Sequence, residues 1–276
     1  MKKFAFLVMY EVRTLINVEK LYEYVIDYYN ADVIICCQEL DDTNEKLELL
    51  KKNQVFKKVY KHMNPTEYYN NNFEHTDHLS NWNNNNCLQI YINCNEMANV
   101  LEEYKNDYDY FILLRSDINI AFPFPKKEQF ENIKDGIYSF DANYARSWGN
   151  YSTGVFVHKN FIIDYLNCTK KVLQDNNLIK RFLVQYTKYG KYKNQENFKL
   201  YCMALSNLTF KFINNINIYF VTENMNTRST WSHPTLIDNE FVKYIGQYNE
   251  VKQNLHLWNS GYVWVYENNN FLLKNT

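Results

Sequence analysis

Asp107-Tyr108-Asp109-Tyr110-Phe111-Ile112-Leu113-Leu114-Arg115-Ser116-Asp117-Ile118-Asn119-Ile120 holds the densest information in this chain. The four consecutive apolar residues from Phe111 to Leu114 predict a strand buried on both faces, since a strand with one wet face would alternate polar and apolar residues. Arg115 and Asp117 follow at once. Open α/β sheets bind their ligands beyond the carboxyl ends of strands, so an acidic group there is a candidate to hold a divalent cation against a diphosphate. Hard cations take oxygen ligands, and phosphate oxygens complete the shell. The competing reading is a surface ion pair beyond a strand end, which contributes about 0–1 kcal/mol.

Outward from that run, the chain alternates strand and helix. Phe4 to Met9 reads as a buried strand. Val18, Leu21, Tyr22, Val25, Ile26 and Tyr29 carry the three-four spacing of an amphipathic helix. Ala31 to Cys37 predicts a second strand, Glu45 to Lys52 a short helix, and Val55 to Tyr60 a third strand. This order is the beginning of a parallel sheet with right-handed crossovers. No Gly-X-Gly-X-X-Gly or Walker fingerprint follows the first strand, which argues against dinucleotide and P-loop sites. His62 to Asn86 is a long, Asn-rich loop, and Cys87 to Tyr104 predicts the helix leading into the Phe111–Leu114 strand. Beyond Pro123 and Pro125, Lys126 to Glu131 predicts a short helix, and Gly136 to Phe140 and Gly154 to His158 predict strands. Asn160–Lys171 and Glu196–Leu205 predict helices, followed by late strands at Phe210–Phe212 and Ile216–Val221. Neither a repeat nor an interdomain linker interrupts this order, so the expectation is one α/β domain over residues 1–276.

The apolar run with Tyr108-Asp109-Tyr110 before it and Arg115-Ser116-Asp117 behind it resembles the metal-binding strand end of GT-A glycosyltransferases. The signature there is Asp-X-Asp, and a subset of bacterial and viral polysaccharide enzymes carries Arg-X-Asp instead. The resemblance covers the element order of about the first two-thirds of the chain. It implies a GT-A-like fold with a Rossmann-type, mostly parallel central sheet flanked by helices. The nucleotide-binding part would span about residues 1–120 and the acceptor-side part about 121–276. It also implies transfer of a hexosyl or deoxyhexosyl group from a nucleotide diphosphate sugar to a hydroxyl of a glycan acceptor, assisted by Mn2+ or Mg2+.

Site residues follow from the same resemblance. Asp117 is the expected metal ligand, with His256 or His233 from a carboxyl-terminal segment completing the set. With one carboxylate fewer than the usual signature, Arg115 itself can neutralise phosphate through fixed, bidentate donors. Arg228 is placed at the leaving diphosphate. Tyr10, Arg13 and Gln38, at the ends of the first two strands, and Gln89 are expected to contact the nucleotide. Trp148, in the segment Asp141–Asn150, offers an acceptor sugar a flat apolar face, and Asp141 offers a carboxylate to sugar hydroxyls. Asn194-Gln195-Glu196-Asn197 opens a helix, where a carboxylate can take the proton of the attacking hydroxyl. Glu196 is the first choice for that base and Asp141 the second. Each residue also has an ordinary structural reading: a loop anchor for Trp148, a core or surface histidine, and a favourable helix-terminus charge for Glu196.

Composition narrows the rest. The net charge is −1, so no strong positive field exists to collect nucleic acid or an anionic membrane. The 25 Tyr and 18 Phe suit stacking on bases and sugars, yet the accompanying wealth of Asn, Lys and Ile equally fits a codon bias toward A and T. Cys36 and Cys37 are adjacent while Cys87, Cys94, Cys168 and Cys202 stand apart, which predicts reduced, mostly buried thiols rather than a zinc site or a disulfide framework. Met1 to Met9 lacks a signal-peptide cleavage pattern, and no run approaches the roughly 20 apolar residues of a membrane span. A soluble, cytoplasmic protein is expected, in the host cytoplasm if the source is viral. Two rival functions share the pattern. A metal-dependent nucleotidyl or phosphoryl transferase also needs an acidic strand end, and a non-catalytic carbohydrate-binding protein needs only the aromatics.

Overall fold

Continuous apolar runs, rather than alternating ones, build the centre of the sheet, because helices cover both of its faces. The computed structural model describes residues 3–9, 18–61, 85–114, 118–120, 136–139, 154–175, 177–181, 195–208, 210–212, 218–220, 236–237, 241–242, 262–267 and 270–275. Strands are numbered in chain order. They are β1 (Phe4–Val8), β2 (Asp32–Gln38), β3 (Gln54–Tyr60), β4 (Tyr110–Leu114), β5 (Ile118–Ile120), β6 (Ile137–Ser139) and β7 (Gly154–His158), then β8 (Phe210–Phe212) and β9 (Ile218–Phe220). Leu236–Ile237 (β10), Phe241–Val242 (β11), Tyr262–Glu267 (β12) and Asn270–Asn275 (β13) follow. The helices are α1 (18–29), α2 (Glu45–Leu50), α3 (Asn85–Tyr104), α4 (Lys159–Leu173) and α5 (Gln195–Leu205).

Seven strands form the main sheet in the order β3-β2-β1-β4-β7-β6-β8. β3, β2, β1 and β4 run parallel, with Leu7 opposite both Ile34 and Leu113. β7 runs against β4 and β6, and β8 is parallel to β6, so β7 alone opposes the common direction. The expected α/β class, with a Rossmann-type, mostly parallel central sheet flanked by helices, is the one observed. Strand alternation divides the core in two. Ala5, Leu7, Ile34, Cys36, Phe111 and Leu113 point to the layer that contains α3, α4 and α5, whereas Phe4, Phe6, Val33, Ile35, Tyr110 and Ile112 point to that of α1 and α2. In the second layer Phe4 packs on Tyr29 and Tyr110, with ring centroids 4.8 and 5.9 Å away.

Several sequence expectations are refined. α1 is not a uniform α-helix: Tyr22–Ile26 is a π turn, widening the helix where Val25 and Ile26 are both buried, and Asn30 closes it in the left-handed conformation. α3 begins at Asn85 and α4 extends through Leu173. β5 and the carboxyl-terminal strands β10 to β13 were not anticipated, while the short helix expected at Lys126–Glu131 lies outside the described residues. No helix among the described residues is long and apolar enough to cross a membrane.

Cys36, Cys37, Cys94, Cys168 and Cys202 are free and buried, as expected. Burial, reinforced by Glu96, pushes the Cys36 thiol up to about 12, and burial pushes Cys37 up to about 11. The hydrogen bond from Lys58 Nζ to Glu96, 2.8 Å long, raises Lys58 as well. In each case the native state holds its proton more tightly than the unfolded chain. Stability contributed by these groups is therefore complete below the unfolded values and declines as pH rises through the native ones. The urea midpoint is expected to fall steadily between about pH 9 and about pH 11. For the two buried thiols, each tenfold difference in proton affinity between native and unfolded states amounts to about 1.4 kcal/mol. Cys36→Ala/Cys37→Ala should flatten that decline, and equal slopes in wild type and double variant would refute the assignment.

Candidate functional site

The strand order itself marks a place. β1 continues toward β2 and β3 on one side, and β4 lies on the other, so the order reverses between the carboxyl ends of β1 and β4. Open α/β sheets bind ligands in the crevice at such a switch point. The parallel register puts Leu7 level with Leu113, and each strand ends one residue later. The chain leaves β1 through buried Met9 toward Tyr10 and Arg13, and leaves β4 at Leu114 toward Arg115 and Asp117. Residues 10–17 and 115–117 lie outside the described residues. β5, next in the sequence after Asp117, packs on the first turn of α1 and pairs antiparallel with β9, Ile118 opposite Phe220.

Other segments converge on the same edge. Gln38 ends β2 opposite Tyr60, the last residue of β3. Neighbouring strands are about 4.8 Å apart and Gln38 lies three residues beyond Ile35, the residue level with Val8, so Gln38 stands roughly 14 Å from the end of β4 across β1. α3 runs antiparallel to these strands: Asn93 meets Tyr60, Glu96 meets Lys58, and Tyr104 meets Phe56. Gln89, one turn before Asn93, is thereby carried about 6 Å further toward the carboxyl edge. It is described through its backbone alone. Phe198 of α5 packs on Tyr91 of α3 with centroids 5.8 Å apart, which brings the first turn of α5, and with it the Glu196 backbone, beside the start of α3. Ser139 and Leu113 both pair with Val155, and Gly154 pairs with Leu114, so β6 ends and β7 begins at this edge. The segment carrying Asp141 and Trp148 is rooted there at both ends, though both residues lie outside the described residues, as do Arg228, His233 and His256.

Two polar arrangements here escaped the sequence reading. The Tyr60 hydroxyl donates to Asn93 Oδ1, and the Gln38 side chain bonds the same hydroxyl. All three residues are buried, and desolvation pushes the Tyr60 hydroxyl well above its usual range. The second is Lys199, one turn after Glu196 and only 3% exposed. Its Nζ donates to the Tyr165 carbonyl at 2.6 Å and lies 4.5 Å from that ring, among the sulfurs of Cys94, Cys168 and Cys202. Burial pushes this ammonium down and the sulfurs push it up. The contact ties α5 to α4. Among the described residues no cluster of three or more metal-ligating side chains occurs.

No protein-family model matches the chain, and no curated protein matches it in sequence. Among the solved structures that match are two glycosyltransferases of similar outline. One is a glycosyltransferase involved in glycosylation of the major capsid of PBCV-1, at 12% identity and TM-score 0.33, covering 70% of this chain and 79% of that one. The other is mouse xyloside xylosyltransferase 1 in its apo form, at 10% identity and TM-score 0.41, covering 74% and 82%. At that depth of similarity, fold and function rest on this chain's own strand order and residues.

Proposed function

We propose that this chain is a GT-A-type glycosyltransferase that moves a sugar from a nucleotide diphosphate sugar to a hydroxyl of a glycan acceptor in the cytoplasm. The observation that supports the reading is the strand order, which puts the end of β4 at the switch point, with Arg115-Ser116-Asp117 next in the sequence. The nucleotide belongs on the side of β1, β2 and α3, with Tyr10, Arg13, Gln38 and Gln89. The acceptor belongs on the side of β6, β7 and α5, with Trp148, Asp141 and Glu196. The five strands from β2 to β6 give this edge a width of roughly 20 Å, enough for both substrates side by side.

Departure of the nucleoside diphosphate needs charge stabilisation, and attack needs a base. Arg115 and Arg228 supply fixed positive charge to the phosphates, and Glu196 takes the proton from the acceptor hydroxyl. This gives a single in-line displacement with inversion. The donor set fits a hard divalent cation, with Asp117 oxygens and an imidazole of His256 or His233 as ligands. Mn2+ or Mg2+ held there would supply further positive charge for the leaving diphosphate.

A panel of nucleotide sugars in a melting experiment, with and without Mn2+, tests the reading, because a ligand at 100 times its Kd stabilises the folded state by about 2.7 kcal/mol. One donor class is expected to raise Tm, and with an acceptor present to release nucleoside diphosphate. A panel that leaves Tm unmoved under both conditions overturns the proposal. Stabilisation without turnover on any glycan acceptor would move the protein to the carbohydrate-binding class.

A further inference from the structure

The core between α3, α4 and α5 holds an amine among thiols. Lys199 is 3% exposed, and among the described residues no carboxylate pairs with it; the titratable groups that act on its charge are Cys168, Cys94 and Cys202. A buried ammonium ordinarily stands against a carboxylate, because desolvating an unpaired charge is costly. Here Nζ donates to the Tyr165 carbonyl at 2.6 Å, and the Cys168 thiol donates to the same oxygen at 3.3 Å. One acceptor therefore gathers a nitrogen from α5 and a sulfur from α4.

The arrangement leaves neighbouring polar groups unsatisfied. In a helix a threonine hydroxyl commonly bonds the carbonyl four residues back, which for Thr169 is that of Tyr165. That oxygen is taken by Lys199 and Cys168, and the fully buried Thr169 hydroxyl has no partner among the described residues. Asn95, next to Cys94 in the sequence, likewise has both amide atoms without a partner there. Such atoms are rare in native cores, and a redox role is one of the few reasons for them.

We propose that Cys168 and Lys199 form a redox cross-link in which a single oxygen atom joins Sγ to Nζ. Dioxygen is the oxidant. The S–H bond, one amine N–H bond and the O=O bond break, while S–O and O–N bonds form. One oxygen atom stays in the bridge, and the other leaves as water with the two released hydrogens. Sulfur and nitrogen each give up two electrons, and dioxygen takes up four. Burial ordinarily leaves a thiol inert. Dioxygen, however, is small and uncharged, so an apolar shell does not shut it out, and the flexible lysine stem lets Nζ close the remaining gap. Once linked, Cys168 has no proton to donate, which frees the Tyr165 carbonyl to accept from Thr169. The proposal is independent of the transferase reading.

Intact mass of the full chain tests it. Protein prepared without oxygen and with dithiothreitol is compared with the same preparation held in air-saturated buffer. Aerated wild type is expected to gain one oxygen and lose two hydrogens, to carry the label when isotopically heavy dioxygen is supplied, and to regain its starting mass in dithiothreitol. A tryptic map should show cleavage lost after Lys199 and its peptide joined to the one containing Cys168. Lys199→Met and Cys168→Ala should abolish the change, while Cys94→Ala and Cys202→Ala keep it. The map needs no variant, so it decides the matter even where a substitution disturbs the core. Loss of two hydrogens without added oxygen, the mark of a disulfide among the three cysteines, overturns the proposal. So does added oxygen that survives Lys199→Met, or a mass that aeration leaves unchanged.

Discussion

Replacing Asp117 by alanine is expected to lower sugar transfer by about 10²–10³ while leaving the fold intact, the loss that removal of one stabiliser of developing charge produces. The chain before it, Tyr110–Leu114, is buried throughout and paired on both sides, with β1 and with β7. The strand after it is held by α1 and β9. Those pairings are made by β4 and β5 themselves, so the substitution is expected to act on chemistry rather than on stability. Asp117→Asn should be nearly as damaging, since a neutral amide is a poor ligand for a hard cation. Product formation at saturating donor, measured with Tm on the same preparation, decides the matter. A well-folded Asp117→Ala protein with near wild-type turnover would remove Asp117 from the site.

The parts of this architecture that sequence made legible are those written in local pattern. Phe4–Val8, Asp32–Gln38 and Tyr110–Leu114 announce themselves because strands covered on both faces need no polar alternation, and their helices repeat every three to four residues. From those alone the parallel half of the sheet and its carboxyl edge could be drawn. β5 could not be drawn, because Ile118-Asn119-Ile120 is three residues long and becomes a strand only through pairing with Ile218–Phe220 from far along the chain. The hydrogen bonds that join Gln38, Tyr60 and Asn93 were hidden for the same reason. Gln38 was legible as a strand-end residue, but Tyr60 and Asn93 meet only through the β2–β3 register and the antiparallel course of α3. Lys199 gave no signal, since a lysine within a helix ordinarily points to water and only the packing of α4 against α5 buries this one.

Glu196→Gln is the sharper experiment on mechanism, because its position in the first turn of α5 has both a catalytic and a stability explanation. Glutamine keeps the size and most packing of glutamate but accepts no proton. A catalytic base therefore predicts turnover reduced by about 10²–10⁴, with donor affinity nearly unchanged. A charge that merely complements the helix terminus predicts the opposite pattern, a loss of roughly 0.3–1 kcal/mol in stability with transfer preserved. The two outcomes separate cleanly here because the helix is anchored just beyond Glu196, by Phe198 on Tyr91 and by Lys199 on the Tyr165 carbonyl. Those contacts survive the substitution, so a fall in turnover cannot be blamed on displacement of α5. Donor affinity, Tm and acceptor-dependent product formation on one preparation give the answer. If the variant melts earlier yet transfers at the normal rate, Glu196 is structural. Asp141, rooted at the same edge through β6, then becomes the residue to change.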